Sequence, residues 1–389
     1  MVRQDGKIAP REDAKSGESS GMTSRAVAFA WRVGVLVACC LALPGCYFIQ
    51  AAHGEAQVLE KRRPIPSVVA DSHTPPALRA TLEEVLAARQ FATQVLGLPD
   101  NKSYRTYSDI GRSYVVWNVV AAPELSVTPV HWCFPVVGCV AYRGYFKEKS
   151  ARDFGAHLRE RGFDVVVEGV PAYSTLGRFA DPVLNTMIDY GDTELAAIIF
   201  HELAHQLLYV AGDSSFNEAF ATTVEQEGLK RWLISRGQLE ELRRYEASTV
   251  RQLQYLALFR RTRAQLASLY ASKVPAATMR ERKHALFEQL AKDMRSLEQS
   301  QHRRSGYDDW LEQGLNNAHL ASLATYYDCV PGFERMLKEQ NGDLERFYAA
   351  VRDLSHQPKA QRDAAVCTAA PAPGTTRADR ASPSVARAR

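Results

Sequence analysis

The chain carries little net charge, few cysteines and no apolar run long enough to cross a bilayer. Its formal charge is only +4 over 389 residues, partly from the first residues and an Arg-bearing tail, so no nucleic-acid partner is indicated. None of the seven cysteines forms a Cys-x-x-Cys pair, which removes the usual thiolate zinc sites. The longest apolar run, Val33 to Leu43, falls short of the roughly 20 residues a membrane helix needs. Preceded by Arg25 and Arg32, it has the shape of a signal-peptide core. Hydrophobic residues still make up 46% of the chain, enough for one large domain or two intimate ones.

What is present points to chemistry. His201-Glu202-Leu203-Ala204-His205 places two imidazoles one helical turn apart on the same face, where both can reach one Zn2+, with Glu202 close enough to act on a water there. Five residues can match by chance, so the surroundings decide. Leu195, Ile198, Ile199, Leu203, Leu207 and Leu208 recur at helical spacing and Gly212 offers a stop, which puts both histidines on a helix.

A catalytic zinc usually takes three protein ligands and leaves the fourth position to water. Twelve residues separate His205 from Glu218 in Phe216-Asn217-Glu218-Ala219-Phe220-Ala221, and a turn at Gly212-Asp213-Ser214 would fold a second helix back across the first. The competing use of Glu218 is a capping box with Ser215. Glu225, two turns further on, is either a partner of a ligating histidine or a solvated charge.

The segment Asn217 to Glu225 is similar to the N-E-x-F-A segment of gluzincin aminopeptidases, a likeness that implies Glu218 as third ligand. Together with Trp117 to Phe146, Ala172 to Leu184 and the histidine motif, it resembles the bacterial predicted aminopeptidase family of zinc-dependent lipoproteins, from about Cys46 to about Phe347. Leu43-Pro44-Gly45-Cys46 resembles a lipobox, so residues 1–45 are expected to be a signal peptide, with Met22 a better start, and Cys46 the lipidated residue. Tyr47 is not the Asp that would favour inner-membrane retention. The expected location is therefore the outer membrane, facing the periplasm.

Cys133 and Cys139 flank a short segment that a tight hairpin could close in an oxidising compartment, whereas Cys329 and Cys367 show no readable partner. An amphipathic helix is expected over Ala77 to Leu96, β-rich runs at Val115 to Val120, Val136 to Tyr142 and Val165 to Val170, and a helix from about Ser150 to Arg161. Ala141 to Tyr145, with Tyr142 and Arg143, is the candidate edge strand for binding a peptide backbone. Gln238 to Leu297 reads as two long helices broken at Lys273-Val274-Pro275, and beyond Gln357 the composition reads as a disordered tail.

The fold expected is α+β, mostly helical, with a zincin-like core: a small sheet beside the His201–His205 helix, and a long helical hairpin. Residues 46–357 form a zinc peptidase domain binding one Zn2+ through His201, His205 and Glu218, with Glu202 as base and a peptide as substrate. The oxyanion donor is open among Tyr326, Tyr327, Tyr307 and His319, with Tyr326 also a candidate substrate contact. Glu124 or Asp181 could hold a substrate ammonium. An aminopeptidase is the leading expectation; a zinc endopeptidase or a non-catalytic, zinc-stabilised envelope lipoprotein are the alternatives.

Overall fold

The computed structural model describes residues 47–134 and 137–367, with the side chains of residues 324–326 outside that description. Cys46, the leader with Met22, residues 368–389 and the Tyr326 side chain therefore lie outside the described residues. Contacts divide the chain at Gly54: helix α1, residues 47–60, begins in the first unit, and all remaining elements belong to the second, which starts at Glu55.

That second unit opens with strand β1 (Arg63–Pro64), helix α2 (Ile65–Ala70) and the long helix α3 (Pro76–Gln94). Pro76 starts α3, where a missing N–H is harmless, and Leu82, Val85, Ala88 and Ala92 bury one face at spacings of three and four. Then follow β2 (Thr106–Ser108), β3 (Val116–Pro123), β4 (Trp132–Phe134), β5 (Gly138–Val140), β6 (Arg143–Tyr145), α4 (Glu148–Glu160), β7 (Phe163–Val170), β8 (Val183–Leu184) and α5 (Asn185–Ile188). The rest is helical: α6 (Asp192–Leu207), α7 (Ser214–Ser235), α8 (Leu239–Tyr270), α9 (Ala276–Gln301), α10 (Asp308–Gln313), α11 (Asn317–Tyr327), α12 (Val330–Glu339), α13 (Leu344–Ser355) and α14 (Lys359–Val366). The α+β, mostly helical class expected from the sequence is the class observed.

The strands form three small sheets instead of one: β6-β3-β7, β1-β2-β8, and the β4-β5 hairpin. In the first, both neighbours of β3 run antiparallel, with Val120 opposite Val166 and Asn118 opposite Glu168. Side chains alternate between its two faces. Val165 and Val167 meet α4 at Gly155, while Val120 and Val166 cluster with Ala318 of α11. The main helical neighbours of this sheet are thus α4 and α11, and α11 in turn packs on α7. Of the expected β-run Val136 to Tyr142, whose Val136 lies outside the described residues, Gly138–Val140 form β5 beside β4, and pairing resumes at Arg143 beside β3.

Glu168 sits on the α11 face of this sheet, bonded to Trp310 and Ser322, and burial pushes its carboxyl up to about 7. A folded pKa above the ordinary value of 4.5 leaves no penalty in acid, where both states are protonated. Stability is lost as pH rises from 4.5 towards 7. Glu168→Gln should therefore match the parent at pH 4 and exceed it at pH 8 by on the order of 2 kcal/mol in denaturant unfolding. An equal difference at both pH values would disprove the burial effect.

Helices α8 and α9 form the expected antiparallel hairpin, closed over a core of Tyr255, Leu256, Phe259, Leu266, Phe287, Leu290 and Met294 that Leu320 and Leu323 of α11 join, with Pro275 capping α9. The C-terminal boundary differs from expectation. Residues beyond Gln357 continue as α14, which buries Arg362 and Val366, and Cys367 is bonded to Cys329. Eight residues would not hold a helix alone, so its order comes from distant partners. Among the described residues no helix is long and apolar enough to cross a membrane.

Candidate metal centre

Helix α6 starts with Asp192 and Glu194 in its first turn, where acidic groups favour the helix N-terminus. Leu195, Ile199, Phe200 and Leu203 are fully enclosed, and so are Ala196, Ala197 and Ala204, so the helix runs through the core with neighbours on most sides. Helix α7 lies antiparallel beside it. Its small residues permit the approach: a Cβ on Gly228 would come within 2.7 Å of Leu96 and 3.1 Å of Phe200.

This pairing brings Glu218 to the two histidines. His201 Nε2 and His205 Nε2 are 3.1 Å apart, and Glu218 Oε2 is 3.4 Å from the first and 3.6 Å from the second. Zinc bonds of about 2.0–2.1 Å at tetrahedral angles separate ligand atoms by roughly 3.3–3.4 Å, so the triangle has the size a metal of that kind requires. Two nitrogens and one carboxylate oxygen form a donor set that could hold a metal ion. Of the two uses open to Glu218, the capping box does not form: α7 begins at Ser214 after an Asp213 N-cap, which puts Ser215 inside the helix.

Glu225 accepts a hydrogen bond from His201 Nδ1 at 2.9 Å, which turns Nε2 toward Glu218. His205 Nδ1, also buried, has no such partner among the described residues. Burial alone would lower the His201 imidazole, but Glu218 and Glu225 on its two nitrogens outweigh that and raise it well above its ordinary value. Burial alone would raise Glu218, yet the two imidazoles hold it at about 2, the ionised state a ligand needs. Glu202 is 9% exposed; burial raises its carboxyl against the lowering pull of His201 and His205.

The turn between α6 and α7 is clasped by Asn217, whose side chain accepts from Val210 N and donates to Val210 O, both at 2.8 Å. On the other flank Gln206 receives Asn101 at 2.7 Å and donates to Asp181 at 3.1 Å. Arg89, buried at 1% exposure, organises the loop carrying Asn101 through the carbonyls of Pro99, Asn101 and Ser103. Asn217 and Gln206 stood beside the motifs in the sequence, but an amide's partners cannot be read from spacing.

The remaining candidates are dispersed. Among the expected oxyanion donors whose side chains are described, Tyr327 is the one whose phenol feels Glu225 and Glu218, although burial is the larger cause of its raised pKa. Tyr307 accepts from Gln252 at 2.6 Å and packs on Phe259 and Trp310. His319 is buried, accepts from Asn316 N at 3.1 Å, and is pushed by burial down to about 4. Arg143 stacks over Phe154 and Tyr145 on the edge strand β6, and Tyr142 packs near Val120 and Ala318. Of the two acids considered for a substrate ammonium, Glu124 is bidentate with Arg280, and Asp181 already accepts from Thr175 and Gln206. Cys133 and Cys139 are bonded across the β4-β5 hairpin.

No curated protein and no solved structure matches the chain significantly. The sequence profile of the Putative aminopeptidase family matches residues 46–366, a span that includes both metal helices and ends at the last residue of α14, and the chain belongs to that family.

Proposed function

We propose that the chain is a zinc-dependent peptidase of the bacterial cell envelope, acting as an aminopeptidase. The reading is carried by one observation: three donor atoms within 3.1–3.6 Å of one another, two of them on the helix that carries the buried Glu202 and the third, from Glu218, on α7. Zn2+ held there would supply a Lewis acid that polarises the scissile carbonyl and acidifies water. Glu202 takes the proton of the attacking water and hands it to the leaving amine. Its enclosed position raises its affinity for that proton. His201 is kept in register by Glu225, and Tyr327, whose phenol feels Glu225 and Glu218, is the described candidate to donate to the developing oxyanion. A purely structural zinc would leave a buried carboxylate at position 202 without a role.

The test is hydrolysis of free-amine peptides against N-acetylated ones, with and without chelator. Chelator-sensitive cleavage confined to free-amine peptides is expected. Equal cleavage of both sets would establish the second reading, a zinc endopeptidase, which the engagement of Glu124 and Asp181 with other side chains favours.

The envelope location rests on the lipobox-like Leu43 to Cys46, and the two disulfides suit an oxidising compartment. Cys46→Ser should give an unprocessed precursor that takes up no fatty acid. Unchanged processing and membrane association would remove the lipoprotein reading.

A further inference from the structure

We propose that α14 is a covalently fastened latch that positions Glu218 for metal binding, with Arg362 as its positioning residue. The inference rests on the metal centre proposed above and adds a segment that touches none of its ligands.

Ligand donors must be held to about half an ångström, and Glu218 lies only five residues from the start of its helix. The residue at that start, Asp213, makes no side-chain cap for α7. Its buried carboxylate goes instead to α14: Arg362 donates from Nε and Nη2 to Oδ2 at 2.9 and 2.7 Å, and Lys359 reaches Oδ1 at 3.0 Å. The Arg362 guanidinium also lies 5.7 Å over the ring of Phe216, two residues before Glu218. A buried charge pair of this kind tolerates little displacement, because either partner alone would be a charge out of water.

The latch is itself fixed. Cys367 at its end is bonded to Cys329, the N-cap of α12, and a Cβ on Gly332 would fall 2.1 Å from the carbonyl oxygen of Val366, so the two helices meet backbone to backbone. The same turn also meets the β4-β5 hairpin. Gly212 N donates to Val137 O at 3.0 Å, and a Cβ on Gly138 would fall 2.4 Å from Gly212 N. That hairpin is closed by Cys133–Cys139. The turn that delivers Glu218 is therefore held by two segments, each carrying a disulfide.

The test uses the full, oxidised chain loaded with Zn2+, following release to a chromogenic chelator, and the visible absorption of the Co2+-substituted protein. Arg362→Met and the double variant Cys329→Ser, Cys367→Ser should release zinc about 10-fold faster or more and alter the Co2+ bands, with Arg362→Lys in between. Leu290→Ala, in the separate core of the α8–α9 hairpin, serves as the control for lost stability and should release zinc at the parental rate. If the serine variant fails to fold, the comparison of Arg362→Lys with Leu290→Ala carries the test. Latch variants that release zinc no faster than Leu290→Ala would overturn the latch while leaving the metal centre intact. A parent chain that takes up neither metal would overturn both.

Discussion

Glu202→Gln is expected to retain about one zinc per chain and its melting temperature while hydrolysis falls by about 10²-fold or more. The substitution keeps the shape of the side chain and removes only its ability to accept and return a proton. Glu202 is not among the three donors that converge, so the metal should stay. Its carboxyl is enclosed and raised by burial, so the neutral amide relieves a desolvation cost and the fold loses nothing. Zinc content by elemental analysis, thermal unfolding and the initial rate on a cleaved peptide check the three parts. Full activity in the variant would remove Glu202 as the base.

Glu218→Ala should behave in the opposite way, losing metal first and activity as a consequence. The carboxylate closes a triangle whose other two corners are nitrogens 3.1 Å apart, and without it two protein ligands remain. Removing a partner one shell out typically weakens binding about 10–100-fold, so loss of a direct ligand should exceed that. Dialysed protein should then carry well under one equivalent of zinc and should no longer gain thermal stability from added metal. Full occupancy in this variant would mean that the third ligand lies elsewhere.

The centre of the site was legible because its chemistry is local. Two histidines four apart, an apolar stripe behind them and Glu218 after a Gly-Asp-Ser turn fix a helix, a turn and a returning helix from short-range pattern alone. Glu225 could be named but not decided, since a charge two turns along a helix faces solvent or a histidine depending on packing. Helices α3, α4, α8 and α9 followed from periodicity with Gly or Pro at their ends. Where structure depends on distant residues, sequence failed. Helix α14 has a composition that suits a tail, and it folds because Asp213, nearly 150 positions away, faces its Arg362. Cys329 and Cys367 pair across 38 residues, a connectivity that spacing does not specify. The edge strand came out shorter than expected, pairing with β3 only from Arg143 to Tyr145 after the preceding residues Gly138 to Val140 pair with β4.

The most direct measurement is to strip the purified chain with chelator and follow zinc binding and peptide hydrolysis together as metal is returned. Activity should be absent at the start and should rise in step with occupancy to a plateau at one equivalent, with Glu202→Gln reaching the same occupancy without the activity. Hydrolysis that survives complete removal of zinc, or a stripped chain that binds none, would contradict a catalytic metal at His201, His205 and Glu218.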